Sequence, residues 1–487
     1  MNRALLILFS FIALAAHSFA DSTRTRPNIL LILADDMGWS DLGCYGADLH
    51  ETPNIDRFAG ESVRFTQAYA MSVCSPTRAT LMTGKHAARL HFTIWAEGAI
   101  EGGPKGRKLR DAESISNLPN SEATIATHLH SAGYLTALVG KWHLGDWEHY
   151  PEAHGFDVNI GGTNWGAPQT FFWPYSGSGL YGPEFRYIPH LEFGKPGEYL
   201  TDRLTDEAMR VIDHAGDKPF FVYLAHHAVH TPIEAKTDDI QHFDATLRDS
   251  MNHRHSIYAA MTRNLDDNVG RILAHLKERG LDRNTVVIFA SDNGGYIGMD
   301  KASGCIVPVT NNAPLRSGKG SLYEGGIRVP LVIHWPGVTP AGATCDEPVI
   351  LTDLLQTLLS VAGLPPAVEA TDGIDLTPVL KDPSFKLSRD ALFFHYPHYY
   401  HTTTPVSAIR ARDWKLLEYF EDNHVELYNL RDDLSEQHDL ASQMPDKAKE
   451  LRERLHAWRE SVGAALPKTN PDFKGGKPKP QNSQVVP

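Results

Sequence analysis

The sequence predicts an α/β protein: a large domain on a central, mainly parallel sheet flanked by helices, then a small C-terminal α+β domain with a short antiparallel sheet and one helix. Three observations predict it. Short, almost wholly apolar runs recur between residues 28 and 334, helical patterns lie between them, and from about Thr371 closely spaced strand-like pieces take over. Runs that are apolar throughout, instead of alternating, belong in strands covered on both faces, as parallel sheets require.

The buried-strand runs are residues 28–34, 134–139, 219–225, 285–290 and 329–334. Helical periodicity falls at 121–132, 199–215 and 255–279, and this alternation defines the layered α/β class. Segments 99–120 and 161–196 are rich in Gly, Pro and aromatics without periodicity; loops of that length are functional or disordered as a rule. Toward the C-terminus, 391–396, 407–410, 414–419 and 426–429 read as strands and 445–462 as a helix. The expected division is a leader at 1–20, a catalytic domain at 21–370, a C-terminal α+β unit at 371–467, and a disordered Lys- and Pro-rich tail at 468–487.

The leader has a positive start at Arg3, an apolar stretch from Ala4 to Ala16 broken by Ser10, and small residues at Ser18 and Ala20. That is the pattern of a secretory signal peptide cut after Ala20, and it predicts an exported bacterial protein, periplasmic or secreted. No Cys follows the cut, and no later stretch approaches the ~18 apolar residues of a membrane span, so no membrane anchor is expected. The 487 residues allow two or three domains, and 42% hydrophobic with 22% charged residues excludes a disordered, collagen-like or disulfide-scaffold chain. Lys and Arg number 46 against 59 Asp and Glu, a net charge of −13. Such a chain is a poor general binder of nucleic acid or anionic membranes, so an anionic substrate must meet a local positive pocket. Cys44, Cys74, Cys305 and Cys345 fit no zinc pattern, and Cys305 with Cys345 forms a candidate disulfide in an exported chain.

In sheets of this kind ligands gather beyond the carboxyl ends of the strands. Asp35 and Asp36 follow directly on the first run; Asp292 and Asn293 follow another. Each segment alone reads better as an ordinary Asp-rich turn. Together they offer three carboxylates and an amide oxygen, a hard set suited to Ca²⁺ or Mg²⁺. In Cys74-Ser75-Pro76-Thr77-Arg78, Ser75 reads as a helix N-cap and Pro76 as the first helical residue. Cys74 would then lie where a helix start favours anions and lowers a thiol's pKa, with Arg78 in the first turn. A buried structural Cys is the competing reading.

Cys-Ser-Pro-Thr-Arg, with Leu81-Met82-Thr83-Gly84-Lys85 after it, resembles the C-x-P-x-R signature of type I, formylglycine-dependent sulfatases in the alkaline-phosphatase-like superfamily. Within that family the chain resembles arylsulfatase A-like bacterial carbohydrate sulfatases. Three more segments fit in order: Gly140-Lys141-Trp142-His143-Leu144-Gly145, His230-Thr231-Pro232 and Arg316-Ser317-Gly318-Lys319-Gly320. The resemblance runs from about Pro27 into the C-terminal unit. It implies that Cys74 is oxidised to formylglycine by a formylglycine-generating or anaerobic sulfatase-maturating enzyme. It also implies that Asp35, Asp36, Asp292 and Asn293 hold Ca²⁺ with residue 74. Arg78, Lys141, Lys319 and His230 are implied to bind sulfate, His230 to protonate the leaving alcohol, and His143 to accept a proton. His226 and His227 are alternatives to His230.

The expected substrate is a small sulfated saccharide, attacked from its end. A formylglycine-dependent phosphodiesterase or phosphonate monoester hydrolase is the alternative within the superfamily, and a silent binder of sulfated glycans the alternative outside catalysis. Trp95, Trp165, Phe171, Phe172 and Trp173, in the loop-rich stretches, are candidates for stacking on sugar or for packing the loops; His395, His398 and His401 are weaker candidates for the pocket. Gly177-Ser178-Gly179-Leu180-Tyr181-Gly182 matches a dinucleotide fingerprint in letters, but Pro183 follows it, and no GxSxG elbow, Walker A loop or HExxH helix is present.

Overall fold

The structure, a computed structural model, describes residues 26–300, 303–368 and 370–475. The leader at 1–20 and the end of the tail, 476–487, lie outside the described residues. Nine strands form the main sheet. From one edge its order is Ala343–Cys345, Val63–Tyr69, Arg328–His334, Thr285–Ser291, Asn28–Ala34, Phe220–Ala225, Leu135–Gly140 and Val158–Ile160, with Val349–Ile350 also pairing to Val63–Tyr69. Arg328–His334 runs antiparallel to both its neighbours, and the other pairings are parallel.

The apolar runs behave as their composition requires. All seven residues of Asn28–Ala34 are buried, and alternate side chains enter opposite layers, as the pleat dictates. Ile29, Leu31 and Leu33 pack with Leu81, Met82, Leu129 and Leu358, from helices Cys74–Thr83, Ile125–Ser131 and Leu354–Val361. Leu30, Ile32 and Ala34 pack with Leu204, Ala208, Tyr258 and Leu265, from Leu200–His214 and Ser256–Glu278. The strand Val63–Tyr69 escaped the sequence reading because Arg64, Thr66 and Gln67 interrupt it; its burial alternates toward one end of the sheet.

The C-terminal strands Ala391–Tyr396, Val406–Ala411, Trp414–Tyr419 and Val425–Asn429 form an antiparallel meander. Ile409, Leu416 and Leu427 on one face pack against Leu451 and Leu455 of helix Pro445–Ser461. Phe394, Ala408 and Leu417 on the other meet Tyr69, Met71, Leu322 and Ile327 of the large layer. The small sheet is thereby fastened beside the segment carrying Lys319.

Two expectations need correction. Cys305 and Cys345 form no disulfide: all four cysteines are free, and Cys345 is buried in an edge strand. The segment read as a disordered tail from residue 468 begins as structure, because Lys468–Thr469 pairs with Leu109–Arg110, a partner that composition cannot reveal. Among the described residues no helix is long and apolar enough to cross a membrane.

Candidate active site

The two acidic strand ends meet because their strands are neighbours in register, Ala34 opposite Ser291. Asp35 and Asp292 therefore emerge side by side. Asp36 takes φ = 61°, a left-handed conformation that Asp tolerates better than most residues, and its N–H donates to Asp292 Oδ1 at 3.1 Å. Asn293 Nδ2 donates to Asp36 Oδ1 at 2.8 Å. All four residues are buried.

The helix carrying Cys74 begins two residues earlier than expected: Val73 is the N-cap, Cys74 the first helical residue, and Ser75 caps nothing. Ser75 Oγ instead donates to the His143 carbonyl at 2.8 Å and accepts from Ala96 N–H at 3.2 Å, tying the helix start to two loops. Every residue of Cys74–Thr83 is buried. The expected low thiol pKa does not follow either. Burial pushes the Cys74 thiol up to about 12, with Lys141 and Lys319 opposing and Asp35 and Asp292 adding to the rise. Desolvation outweighs the helix start here.

Three cations interleave with the carboxylates. Arg78 donates from Nε and Nη2 to Asp292 Oδ2 at 3.0 and 2.8 Å, and from Nη1 to the Lys141 carbonyl at 3.1 Å. Lys141 Nζ donates to Asp35 Oδ2 at 2.6 Å. Lys319 Nζ lies 2.8 Å from Asp36 Oδ1 and 2.9 Å from Oδ2. Burial works against Lys319, yet the charge of Asp36 carries its pKa well above the ordinary value. The loop bearing it is close-packed: Gly320, at φ = 86°, leaves no room for a Cβ against the Tyr400 ring, and Thr402 Oγ1 donates to the Lys319 carbonyl.

The arrangement suits a hard cation. One ligand atom from each of Asp35, Asp36, Cys74 and His230 falls within 4.8 Å of the others. Asp35 Oδ1 and Asn293 Oδ1 are buried oxygens without a hydrogen-bond partner, an uncompensated cost that a cation would relieve. Asp292 is pushed up to about 6 by burial and the charge of Asp35, the signature of carboxylates crowded together.

Two histidines flank this centre. His230 Nδ1 donates to the Thr231 carbonyl at 2.8 Å, so Nε2 turns to the carboxylates, 3.6 Å from Asp36 Oδ2. Burial and Lys319 hold its pKa down to about 3. His227 borders the same cations: burial, Lys141 and Arg78 keep its imidazole well below the usual range, whereas His226 is brought down to about 3 by burial, with Asp202 opposing. His143 Nε2 sits 2.5 Å from Glu97 Oε2, and its buried Nδ1 has no partner. Burial takes the pKa of His143 down to about 4 against the pull of Glu97. Glu97 also accepts from Gly166 N–H at 2.9 Å and is itself held near 2, the imidazole overcoming burial.

Glu97 was not foreseen. It opens the short helix Ala96–Glu101 in a stretch without periodicity, and nothing local distinguishes it from a surface acid. Of the candidate aromatics, Phe171 belongs to the core, stacked on Tyr199, and Phe172 meets the same ring edge-on. Trp173 Nε1 donates to the Glu192 carbonyl. Trp95 packs against Tyr400, and Trp165 lies under Arg186. His395 is bonded to Ser407 and Ala465, and His398 to Thr93 and Asp111, whereas burial and then Lys319 bring the pKa of His401 down to about 4 against the pull of Asp36.

Fold and site together present what an oxyanion-handling hydrolase needs: buried cations beside one another, carboxylates that could hold a metal, and histidines alongside. Comparison with known proteins gives it a family. The family model described as Sulfatase matches residues 27–364, and one described as N-sulphoglucosamine sulphohydrolase, C-terminal, matches residues 318–461. A sulfatase of Formosa agariphila is 33% identical over 91% of each chain. The N-acetylgalactosamine-6-sulfatase of Rattus norvegicus is 37% identical over 73% of this chain and 66% of its own. The crystal structure of Ps i-CgsB, also solved with k-i-k-neocarrahexaose, superposes with a TM-score of 0.73 at 31% identity, covering 89% of this chain and 93% of that one. The chain belongs to the sulfatase family and is a sulfuric ester hydrolase.

Proposed function

We propose that this sulfatase is exported, is modified at Cys74 to formylglycine, holds Ca²⁺ (Mg²⁺ being the second choice) and removes a sulfate monoester from the end of a sulfated carbohydrate. The observation that carries this reading is the convergence of Arg78, Lys141 and Lys319 on the carboxylates around Cys74, in one buried place. Carbohydrate as substrate is supported by the likeness to N-acetylgalactosamine-6-sulfatase and to a structure solved with k-i-k-neocarrahexaose. Export is supported by the leader sequence.

Asp35, Asp36, Asp292 and Asn293, with residue 74, would hold the cation, which supplies Lewis-acid polarisation of a sulfate oxygen and acidifies the nucleophilic hydroxyl. Hydrated formylglycine supplies one hydroxyl to attack sulfur and a second whose deprotonation expels the sulfate, something an unmodified Ser or Cys lacks. Arg78 is fixed by Asp292 and the Lys141 carbonyl before substrate arrives. Lys141 and Lys319 exchange part of their carboxylate contacts for sulfate oxygens. Such charges, aimed beforehand in a dry site, gain most as negative charge develops. His230 presents Nε2 toward the leaving alcohol; an arriving anion opposes the field of Lys319 and favours a proton there. His143, its Nε2 held by Glu97, offers Nδ1 to take the proton in the second half of the reaction.

The test has two arms. Mass spectrometry of the Cys74 peptide from the native host is expected to show the aldehyde, and protein carrying only thiol there rejects the mechanism. Purified modified enzyme is expected to release sulfate from defined sulfated sugars and to prefer aryl sulfate to aryl phosphodiester; dominant phosphodiester turnover would place it with the phosphonate and phosphodiester hydrolases instead.

A further inference from the structure

Arg186 ends the short strand Gly182–Arg186, in the loop-rich stretch between Gly161 and Pro196. It is 3% exposed, yet Nε and Nη1 are buried without a hydrogen-bond partner. No carboxylate among the described residues lies within ion-pair distance of it. Of the other buried arginines, Arg78 bonds to Asp292, Arg328 to Glu324 and the Thr66 carbonyl, and Arg459 to Glu418, while Arg410, whose Nε also lacks a partner, bonds to Gln67. Arg186 differs in having, among the described residues, no hydrogen bond to any of its guanidinium nitrogens. An unpaired guanidinium out of water is costly, and cation–π contact offsets only part of that cost. Arg186 has that contact on two sides: its guanidinium carbon lies 4.5 Å from the Tyr181 ring and 5.0 Å from the Trp165 ring. Both rings leave the polar edge unsatisfied while fixing the plane.

Both plates are tied to the proposed catalytic histidines. Tyr181 Oη donates to Thr231 Oγ1 at 3.1 Å, and that hydroxyl is 3.2 Å from His230 Nδ1. Trp165 precedes Gly166, whose N–H donates to the Glu97 carboxylate that holds His143. Arg186 is therefore linked to both histidines, to His230 through Tyr181 and Thr231 and to His143 through Trp165, Gly166 and Glu97. Glu101 is the acid that feels Arg186 at longer range.

We propose that Arg186 forms a second anion subsite, which binds a further oxyanion of the substrate beside the sulfate that is cleaved. The guanidinium fork matches the paired oxygens of a carboxylate or of a second sulfate ester, and a planar fork held between two rings loses little freedom on binding. Trp165 thus serves as a plate for the arginine, and the sugar meets the exposed rim of this stack. The substrate class becomes a saccharide carrying two anions in neighbouring positions, either disulfated or sulfated next to a uronic acid. This rests on the sulfatase reading above and deepens it.

The experiment uses the full, modified enzyme and three probes: a monosulfated N-acetylhexosamine, its disulfated counterpart, and the monosulfated sugar linked to a uronic acid. Sulfate release is measured on the wild type, Arg186→Gln and Arg186→Lys, with melting temperatures taken on all three. Wild type is expected to favour one dianionic probe by about tenfold or more in kcat/KM, chiefly through KM, the gain typical of a charge-assisted hydrogen bond. Whether the disulfated or the uronate probe wins identifies the second anion. Arg186→Gln should erase the preference and Arg186→Lys should keep part of it. A structural role alone would depress all three probes together and leave the ratio unmoved, which overturns the proposal, as does a wild type with no preference. If none of the probes is cleaved, the sulfatase substrate reading fails separately. Calorimetric titration of the same probes then decides on Arg186: tighter wild-type binding of a dianionic probe, lost in Arg186→Gln, upholds the subsite, and equal affinities overturn it.

Discussion

Replacing Glu97 by Gln tests whether His143 works as an oriented base. The substitution keeps the shape and a hydrogen-bonding partner for Nε2, but it removes the charge that faces the imidazole at 2.5 Å. A hydrogen bond to a charged group contributes about 1.5–3 kcal/mol more than its absence, and each ~1.36 kcal/mol on a barrier is tenfold in rate. If the carboxylate stabilises the imidazolium formed as His143 takes its proton, kcat should fall about 10- to 150-fold. The pH profile supplies an independent sign. Burial sets the pKa of His143 at about 4, Lys141 and Arg78 push the same way, and Glu97 alone among these neighbours raises it. Without that charge the imidazole protonates at still lower pH, so the acid limb belonging to His143 must move down while the plateau drops. The assay is sulfate release at saturating substrate from pH 3.5 upward, in variants whose thermal melts match the wild type. Wild-type kcat in Glu97→Gln, or an acid limb displaced to higher pH, refutes the role.

Three other perturbations separate parts of the site. Dialysis against EDTA should abolish turnover and lower the melting temperature, with Ca²⁺ restoring both, because Asp35, Asp36 and Asp292 crowd together when no cation divides them; metal-free chain by elemental analysis that retains full turnover contradicts this. Arg78→Lys loses the paired bonds to Asp292 and the bond to the Lys141 carbonyl, and kcat should drop by roughly 10²-fold or more, as for loss of other preorganised donors; a loss below tenfold would show that the guanidinium only supports the fold. Gly166→Ala puts a Cβ 2.5 Å from His143 Cε1 and 2.8 Å from Nε2, so the ring must shift and kcat should fall about 10- to 100-fold with the circular dichroism unchanged; undiminished turnover would mean that the position of His143 is not critical.

The readable parts of this site share a physical origin. Asp35, Asp36, Asp292 and Asn293 stand directly after buried apolar runs, so strand pairing alone brings them together. The meander near the C-terminus was readable from spacing: short strand-like pieces following closely on one another leave few other folds. What composition could not supply is contact between loops. Ser75 has the residue type of an N-cap, yet its hydroxyl is drawn to the His143 carbonyl and the helix starts without it. Cys74 sits at a helix start, but whether burial or the dipole governs its thiol depends on packing from several segments. Glu97 and Arg186 come from aperiodic stretches and acquire meaning only through His143, Trp165 and Tyr181.

How an acidic chain binds an anionic ester follows from the bookkeeping of its centre. The buried carboxylates Asp35, Asp36 and Asp292 are matched by Arg78, Lys141 and Lys319, so the protein groups cancel and the proposed divalent cation would leave the pocket positive. That surplus acts over a few ångströms in a site largely shielded from salt, while the net −13 of the chain acts outward and is screened beyond roughly 8–10 Å at physiological ionic strength. The two fields select different substrates. A short sulfated sugar crosses the outer field at little cost, whereas a long polyanion must lay many charges against an acidic surface. Activity on a monosulfated sugar should therefore vary by less than about twofold between 0.05 and 0.3 M salt, and activity on intact polymer should rise over the same range as screening relieves repulsion. Sulfate should be lost first from chain ends, as product profiles by mass spectrometry would show. Random internal desulfation of polymer at the rate seen for oligosaccharides would contradict both the end-wise action and the electrostatic reasoning behind it.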